Sequence, residues 1–74
     1  MKEVDTYTID GNRYAVIDKI NVNSKDYIYL VNLEDEKDYI IRTLEIKDGK
    51  HFVSKLKSQE ELYQALNEFS NKYN

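Results

Sequence analysis

The chain has 74 residues, no cysteine, a single histidine and a formal net charge of −3. This length predicts one domain, residues 1–74, that buries only ~60% of the surface its unfolded chain exposes. Without cysteine, disulfides and thiolate metal sites are excluded, which is compatible with the cytoplasm, where we expect the protein.

Three further classes are disfavoured. The start, residues 1–5, lacks an apolar run, so we expect no signal peptide. No apolar run approaches the ~20 residues that span a bilayer, so we expect no membrane association. The charges are interspersed and form no basic stripe, so nucleic acid is an improbable ligand.

Short strands joined by tight turns are predicted between residues 6 and 56. The turn signals are Asp10-Gly11-Asn12, Asn23-Ser24-Lys25 and Asp48-Gly49, with an acidic loop at 34–38. The predicted strands cover 6–9, 13–22, 26–33, 39–47 and 50–56. Because consecutive strands with short connections pair as neighbours, we expect an antiparallel meander of four to five strands.

The third strand is apolar on both of its faces. Tyr27, Tyr29, Val31 and Leu33 point to one side of the strand. Ile28 and Leu30 point to the other side. Such a strand requires cover above and below. Since the rest of the chain offers one helix, this pattern predicts an apolar sheet face without a lid.

The helix is predicted over about 58–72. Ser58-Gln59-Glu60-Glu61 is a capping box, in which the hydroxyl accepts from the third helical amide. Leu62, Leu66, Phe69 and Tyr73 then follow at spacings of four, three and four, which is one amphipathic stripe. The fold class is therefore α+β, with this helix packed on one face of the meander.

The predicted core lies between that helix and one sheet face. Its members are apolar residues that share a strand face or the helical stripe: Tyr14, Val16, Ile20, Ile28, Leu30, Ile40, Leu44, Leu62, Leu66 and Phe69, with Val53 or Phe52 closing an edge.

Two charges interrupt otherwise apolar strand faces. Asp18 lies among Tyr14, Val16 and Ile20, and Arg42 lies between Ile40 and Leu44. Because a lone buried charge is costly, each must pair, lie at a bulge or meet solvent. One hypothesis is a bidentate ion pair across the sheet; the other is a slip in alternation that exposes both charges.

No constellation of catalytic or metal-binding residues is visible. His51 follows a turn without an acid or serine in a recognisable spacing, so we interpret it as a turn residue. The acidic loop lacks the glycine of a calcium loop and contains Lys37, so we interpret it as solvated. We therefore expect a protein that is not an enzyme and needs no cofactor.

Seven tyrosines are a high number for a chain of this length. Cross-strand aromatic pairs that stabilise the sheet are one explanation. An exposed aromatic patch for a protein partner or a second copy is another. Stacking on unpaired bases is a third, but it would require basic residues between the aromatics.

The order of hairpins, acidic loop and final helix resembles the small YrzB-like proteins of low-GC Gram-positive bacteria, a family without assigned function. The residues that carry the resemblance are 18–27, 28–33 and 58–69. It implies a cytosolic bacterial protein and no catalytic residues.

The leading prediction of function is a non-enzymatic protein–protein interaction module. It would bind a partner, or itself as a homodimer, through the sheet face opposite the helix. The proposed contact residues are Tyr27, Tyr29, Val31, Tyr39 and Ile41.

The second prediction is a small acidic inhibitor or nucleic-acid mimic acting on a nucleic-acid-processing partner. Glu34, Asp35, Glu36 and Asp38 would present their carboxylates to a basic groove.

Overall fold

The structure, a computed structural model, describes residues 5–72. Its elements in chain order are β1 (Thr6–Ile9), β2 (Asn12–Val22), β3 (Lys25–Asn32), β4 (Asp35–Lys47), β5 (Lys50–Ser54) and α1 (Gln59–Lys72). The strands form one antiparallel sheet in chain order, β1-β2-β3-β4-β5. The predicted α+β meander with a C-terminal helix is confirmed.

Three of the hairpins turn through pairs of residues with positive φ. These pairs are 10–11, 23–24 and 48–49, with φ between 51° and 82°. Two consecutive residues in this region form the tight turn whose twist matches that of the flanking strands. Glycine takes this geometry without steric cost, which explains Gly11 and Gly49.

The remaining hairpin, between β3 and β4, is tighter than the sequence suggests. Leu33 and Glu34 form the turn, and the Asn32 side chain accepts the Glu34 N–H at 2.9 Å. The prediction of a polar loop at 34–38 is wrong beyond Glu34, because β4 begins at Asp35. A register shift between Val31 and Asn32 absorbs the extra residues of β4.

A β-bulge divides β2 into two parts. Val16 is opposite Leu30, but Asp18 is opposite Tyr29, so Ile17 is the extra residue. Because side chains alternate with period two, one additional residue exchanges the two faces from that point on. Tyr14 and Val16 therefore pack on one side of the sheet, and Ile20 packs on the other.

The helix covers the face that carries the tyrosines of β3. Tyr27 and Ile41 are buried against Ala65 and Phe69 of α1, and Ile20, Val22, Tyr29, Leu56 and Leu62 pack around them. The prediction that this face lies opposite the helix is wrong. The bulge explains the error, since it turns the second half of β2 toward the same face as Tyr27.

The opposite face is closed by curvature of the sheet. The strands curl into a half-barrel whose concave side holds a second core of Tyr14, Ile28, Leu30 and Leu44. The Tyr7 hydroxyl of β1 and Nδ1 of His51 in β5 share a hydrogen bond of 2.8 Å, so side chains link the first strand to the last. A curled sheet buries an apolar face without a second layer, which the sequence pattern did not indicate.

Most of the predicted core residues do belong to a core. The prediction of one core layer, between the helix and one sheet face, is wrong. Ile28, Leu30 and Leu44 lie on the side away from the helix. Leu66 was predicted to be buried and is 42% exposed, and Phe52, one of the two candidates for closing an edge, is 48% exposed. Val53, the other candidate for the edge, packs against the concave core.

The start of α1 is fastened to β3 by Glu61. The Glu61 N–H donates to Ser58 Oγ at 3.1 Å, and Glu61 Oε1 accepts the Lys57 N–H at 2.8 Å. This confirms the predicted cap, although Glu61 reaches one residue further back than in a standard capping box.

Tyr73, the last member of the predicted helical stripe, lies outside the described residues. Between residues 5 and 72, no helix is long and apolar enough to cross a bilayer.

Candidate functional site

An apolar groove lies beside the helix, where the bulge of β2 and the side of α1 leave the sheet partly uncovered. We call it the helix-side groove, and its volume is about 520 Å³. It is lined by Ile17, Asp18, Tyr29, Tyr39, Leu66, Phe69 and Ser70. Three of these side chains are large, apolar and exposed: Ile17 at 51%, Tyr39 at 51% and Leu66 at 42%.

Three aromatic rings in edge-to-face contact form the floor of the groove. Tyr29 meets Tyr39 edge-on at 5.6 Å between ring centroids, and it meets Phe69 edge-on at 5.4 Å. Such pairs contribute about 0.5–1.5 kcal/mol beyond their buried area. A second depression of about 350 Å³ shares Tyr29, Tyr39 and Leu66 with the groove. These ring contacts join β3, β4 and α1 beneath the groove, and Tyr39 is also half exposed to solvent.

One end of the groove carries an ion pair between the sheet and the helix. Lys72 Nζ donates to Asp18 Oδ1 at 2.5 Å and to the Lys19 carbonyl oxygen at 3.3 Å. Asp18 Oδ1 also accepts the N–H of the next residue, Lys19, at 2.8 Å, beside the bulge of β2. These bonds connect the end of α1 to β2 beside the bulge.

The predicted ion pair between Asp18 and Arg42 is wrong. In the register, Asp18 is paired with Tyr29 and Arg42 is paired with Ile28. Because Ile28 and Tyr29 are consecutive residues of one strand, the side chains of Asp18 and Arg42 point to different faces of the sheet. Arg42 instead donates to the Ile41 carbonyl oxygen at 3.0 Å. The expectation that a charge in such a position can lie at a bulge holds for Asp18.

The five predicted protein-contact residues have three different surroundings. Tyr27 and Ile41 are 7% and 6% exposed beneath the helix, so they are part of the core and cannot be a free docking surface. Tyr29 and Tyr39 line the helix-side groove. Val31 is half-buried between Ala15 and Tyr39, its neighbours in the register.

Sequence reasoning missed Ile17 and Leu66 as groove residues. Leu66 belongs to the helical stripe, so its periodicity predicted burial. Ile17 follows Val16 directly and precedes Asp18, and this break in alternation was the available signal for a bulge.

The four acidic residues of the second prediction do not form one surface. Glu34, Asp35 and Glu36 are exposed. Asp38 instead accepts the Tyr14 hydroxyl at 2.7 Å and the Asn32 side-chain amide at 3.2 Å. The Tyr14 hydrogen bond is the main reason that the pKa of Asp38 is lowered. Asp38 therefore anchors the concave core, and only its neighbours could present charge to a partner.

Lys25, Tyr27 and Glu61 form an electrostatic cluster between β3 and α1. Glu61 Oε2 accepts from Lys25 Nζ at 2.7 Å and from the Tyr27 hydroxyl at 2.9 Å. The Lys25 hydrogen bond, the Lys57 amide and the Tyr27 hydroxyl together lower the pKa of Glu61 to about 2. Burial and the Glu61 bond raise the pKa of Tyr27. This cluster fixes the helix to the sheet and does not open into the groove lining.

His51 is exposed, and the hydrogen bond with Tyr7 accounts for its position. Burial is the main cause of the raised pKa of Tyr7, and the carboxylate of Asp5 adds to it. Among residues 5–72, no group of three or more histidine, aspartate or glutamate side chains is placed to hold a metal ion.

Comparisons with known proteins gave no match. No family model matches the chain, and neither a curated protein nor a solved structure is significantly similar to it. The resemblance to YrzB-like proteins therefore stays a prediction, and the geometry of the described residues has to carry the functional argument.

Proposed function

We propose that this protein is a non-enzymatic interaction module that binds a second protein through the helix-side groove. The occupant is an apolar side chain of the partner, inserted between Ile17, Tyr39 and Leu66. The observation that carries the proposal is the convergence of these three exposed apolar side chains on one groove.

The groove has the features of a small protein-binding surface. Its floor is aromatic and preorganised by the contacts of Tyr29, so little side-chain entropy is lost when a ligand covers it. Aromatic side chains in a pocket are also the residues that most often dominate the free energy of binding. Asp18 and Lys72 supply a polar rim at one end.

The decisive experiment compares a groove variant with a matched surface variant. Tyr39→Ser with Leu66→Ser removes two exposed apolar side chains from the groove. Leu33→Ser removes a comparably exposed one, at 51%, from the β3–β4 turn. Both proteins are checked for native circular dichroism, and then all three are used to capture partners from extracts of the source cell.

We expect a protein that is retained by the wild type and by the Leu33 variant, and lost with the groove variant. Titration of that purified partner should give an affinity that changes little between low and high salt, because apolar burial is not screened. Equal retention by the groove variant would refute the proposal. Binding of a second copy through the same groove would appear in light scattering as a dimer that the groove variant abolishes.

The inhibitor or nucleic-acid-mimic function has no specific observation in its favour. Its acidic set is divided, since Asp38 is held by Tyr14 and Asn32. Strong salt dependence in the same titration would be the result that favours it.

A further inference from the structure

The helix-side groove has a carboxylate in an otherwise uncharged lining. Among the described residues that line it, Asp18 is the one that carries a charge. The Asp18 side chain is 13% exposed, whereas Ile17 and Tyr39 beside it are each 51% exposed. Because a partly buried carboxylate is stabilised by a cationic neighbour, the charge of any molecule that enters the groove matters at this point.

An aromatic pair lies next to this carboxylate. Asp18 is directly opposite Tyr29 in the ladder between β2 and β3. Side chains in such positions are neighbours on one sheet face, about 4.5–5.5 Å apart at Cβ. The Tyr29 ring in turn contacts the Tyr39 ring at 5.6 Å between centroids. Since the faces of aromatic rings attract cations, the rings and the carboxylate favour the same kind of ligand group.

The same combination holds a cation elsewhere in this protein. Lys25 Nζ donates to Glu61 Oε2 at 2.7 Å and lies 5.9 Å from the centroid of the Tyr27 ring. At the groove, an ammonium group is already bound, because Lys72 Nζ donates to Asp18 Oδ1 at 2.5 Å. Lys72 is outside the groove lining, and its side chain is 46% exposed. It can therefore turn to solvent at a small cost when another cation approaches.

Two nearby cations point away from the groove. Lys19 and Arg42 are both opposite Ile28 in the register, and Ile28 belongs to the concave core. Because side chains alternate along a strand, Lys19 and Arg42 point to the concave side, whereas Asp18 points to the helix side. The groove therefore presents negative charge, in a chain whose net charge is −3.

We propose that the occupant of the helix-side groove is a segment of a partner protein in which an arginine adjoins an apolar side chain. The guanidinium replaces Lys72 at Asp18 and packs against the Tyr29 ring, while the apolar side chain lies beside Leu66. Arginine suits this position better than lysine, because its planar group can bond a carboxylate and stack on an aromatic ring. The inference rests on the proposed function and adds the charge of the partner. A single partly buried pair is weakly screened, so the affinity should still change little with salt.

The test is an NMR titration of the isotope-labelled full chain with three capped peptides that differ at one position. Two leucines adjoin that position, which holds arginine, citrulline or glutamate, and citrulline has the shape of arginine without its charge. We expect saturable shifts of the Asp18, Tyr39 and Leu66 amides. The arginine peptide should bind about threefold to tenfold more tightly than the citrulline peptide. Asp18→Asn should abolish this preference, and Asp35→Asn, the same change at an exposed position in β4, should preserve it.

Lys72→Gln separates the inference from a purely structural role of the ion pair. Removal of the internal competitor should tighten binding of the arginine peptide by about twofold to fivefold. An ion pair that only connects α1 to β2 predicts equal or weaker binding, and that result would contradict the inference. Native circular dichroism of each variant is the folding control.

Equal binding of the arginine and citrulline peptides would overturn the inference and leave the groove as an apolar site. Tighter binding of the glutamate peptide, or no shifts in the groove with any peptide, would also overturn it. A dimer in light scattering that Asp18→Asn abolishes would assign the groove to a second copy instead of a partner protein. Capture of a partner by the wild type and not by the groove variant tests the proposed function independently, so the two can fail separately.

Discussion

Leu30 tests whether the concave side of the sheet is a sealed core. It is 0% exposed and lies on the face away from the helix, whereas Leu33 of the adjoining turn is 51% exposed. Leu30→Ala removes three carbon atoms, worth ~0.8 kcal/mol each in transfer free energy. The cavity left behind raises the expected loss of unfolding free energy to about 3–4 kcal/mol.

This loss is large for a chain of this size. At roughly 0.05–0.15 kcal/mol per residue, the whole free energy of unfolding is on the order of 4–11 kcal/mol. The assay is urea unfolding followed by far-ultraviolet circular dichroism and tyrosine fluorescence. Leu30→Ala should lower the midpoint strongly with an unchanged slope, and a loss of 3 kcal/mol corresponds to a fall in Tm of about 12–24 °C.

Leu33→Ala is the matched control, because it makes the same chemical change at an exposed position next to the same strand. We expect it to alter the free energy of unfolding by less than about 0.5 kcal/mol. A cost for Leu30→Ala below about 1 kcal/mol, or one equal to that of the control, would refute the description of the concave side as a closed core.

Two further predictions concern the fastening of the helix. The pKa of Glu61 falls from 4.5 to about 2 on folding, so its carboxylate stabilises the folded state fully above pH 4.5. That contribution should fade as the pH falls toward 2. Glu61→Gln should therefore flatten the pH dependence of the unfolding midpoint in this range, and an unchanged profile would contradict the assignment. Ser58→Ala removes the acceptor of the Glu61 N–H and should lower the free energy of unfolding, measured in urea, by about 1 kcal/mol. Ser54→Ala, an exposed serine at the end of β5, should cost little, and equal losses would argue against the cap.

The sequence determined the local elements of this protein. Residue pairs such as Asp10–Gly11 and Asp48–Gly49 tolerate positive φ, so they specified tight hairpins wherever they occur. Ser58 and Glu61 specified the start of the helix, because their side chains can satisfy helical amides that have no partner in the backbone. These effects act over a few residues and are therefore visible in the sequence.

The tertiary structure decided which face each strand presents and which surfaces stay open. The single extra residue at Ile17 exchanged the faces of β2, and a change of one residue in register reverses every side chain beyond it. Curling then buried Ile28 and Leu30 without a second helix, since strand twist accumulates across a sheet. Ile17, Tyr39 and Leu66 meet in one groove for the same reason: residues from β2, β4 and α1 become neighbours only when register, curvature and helix position are fixed together.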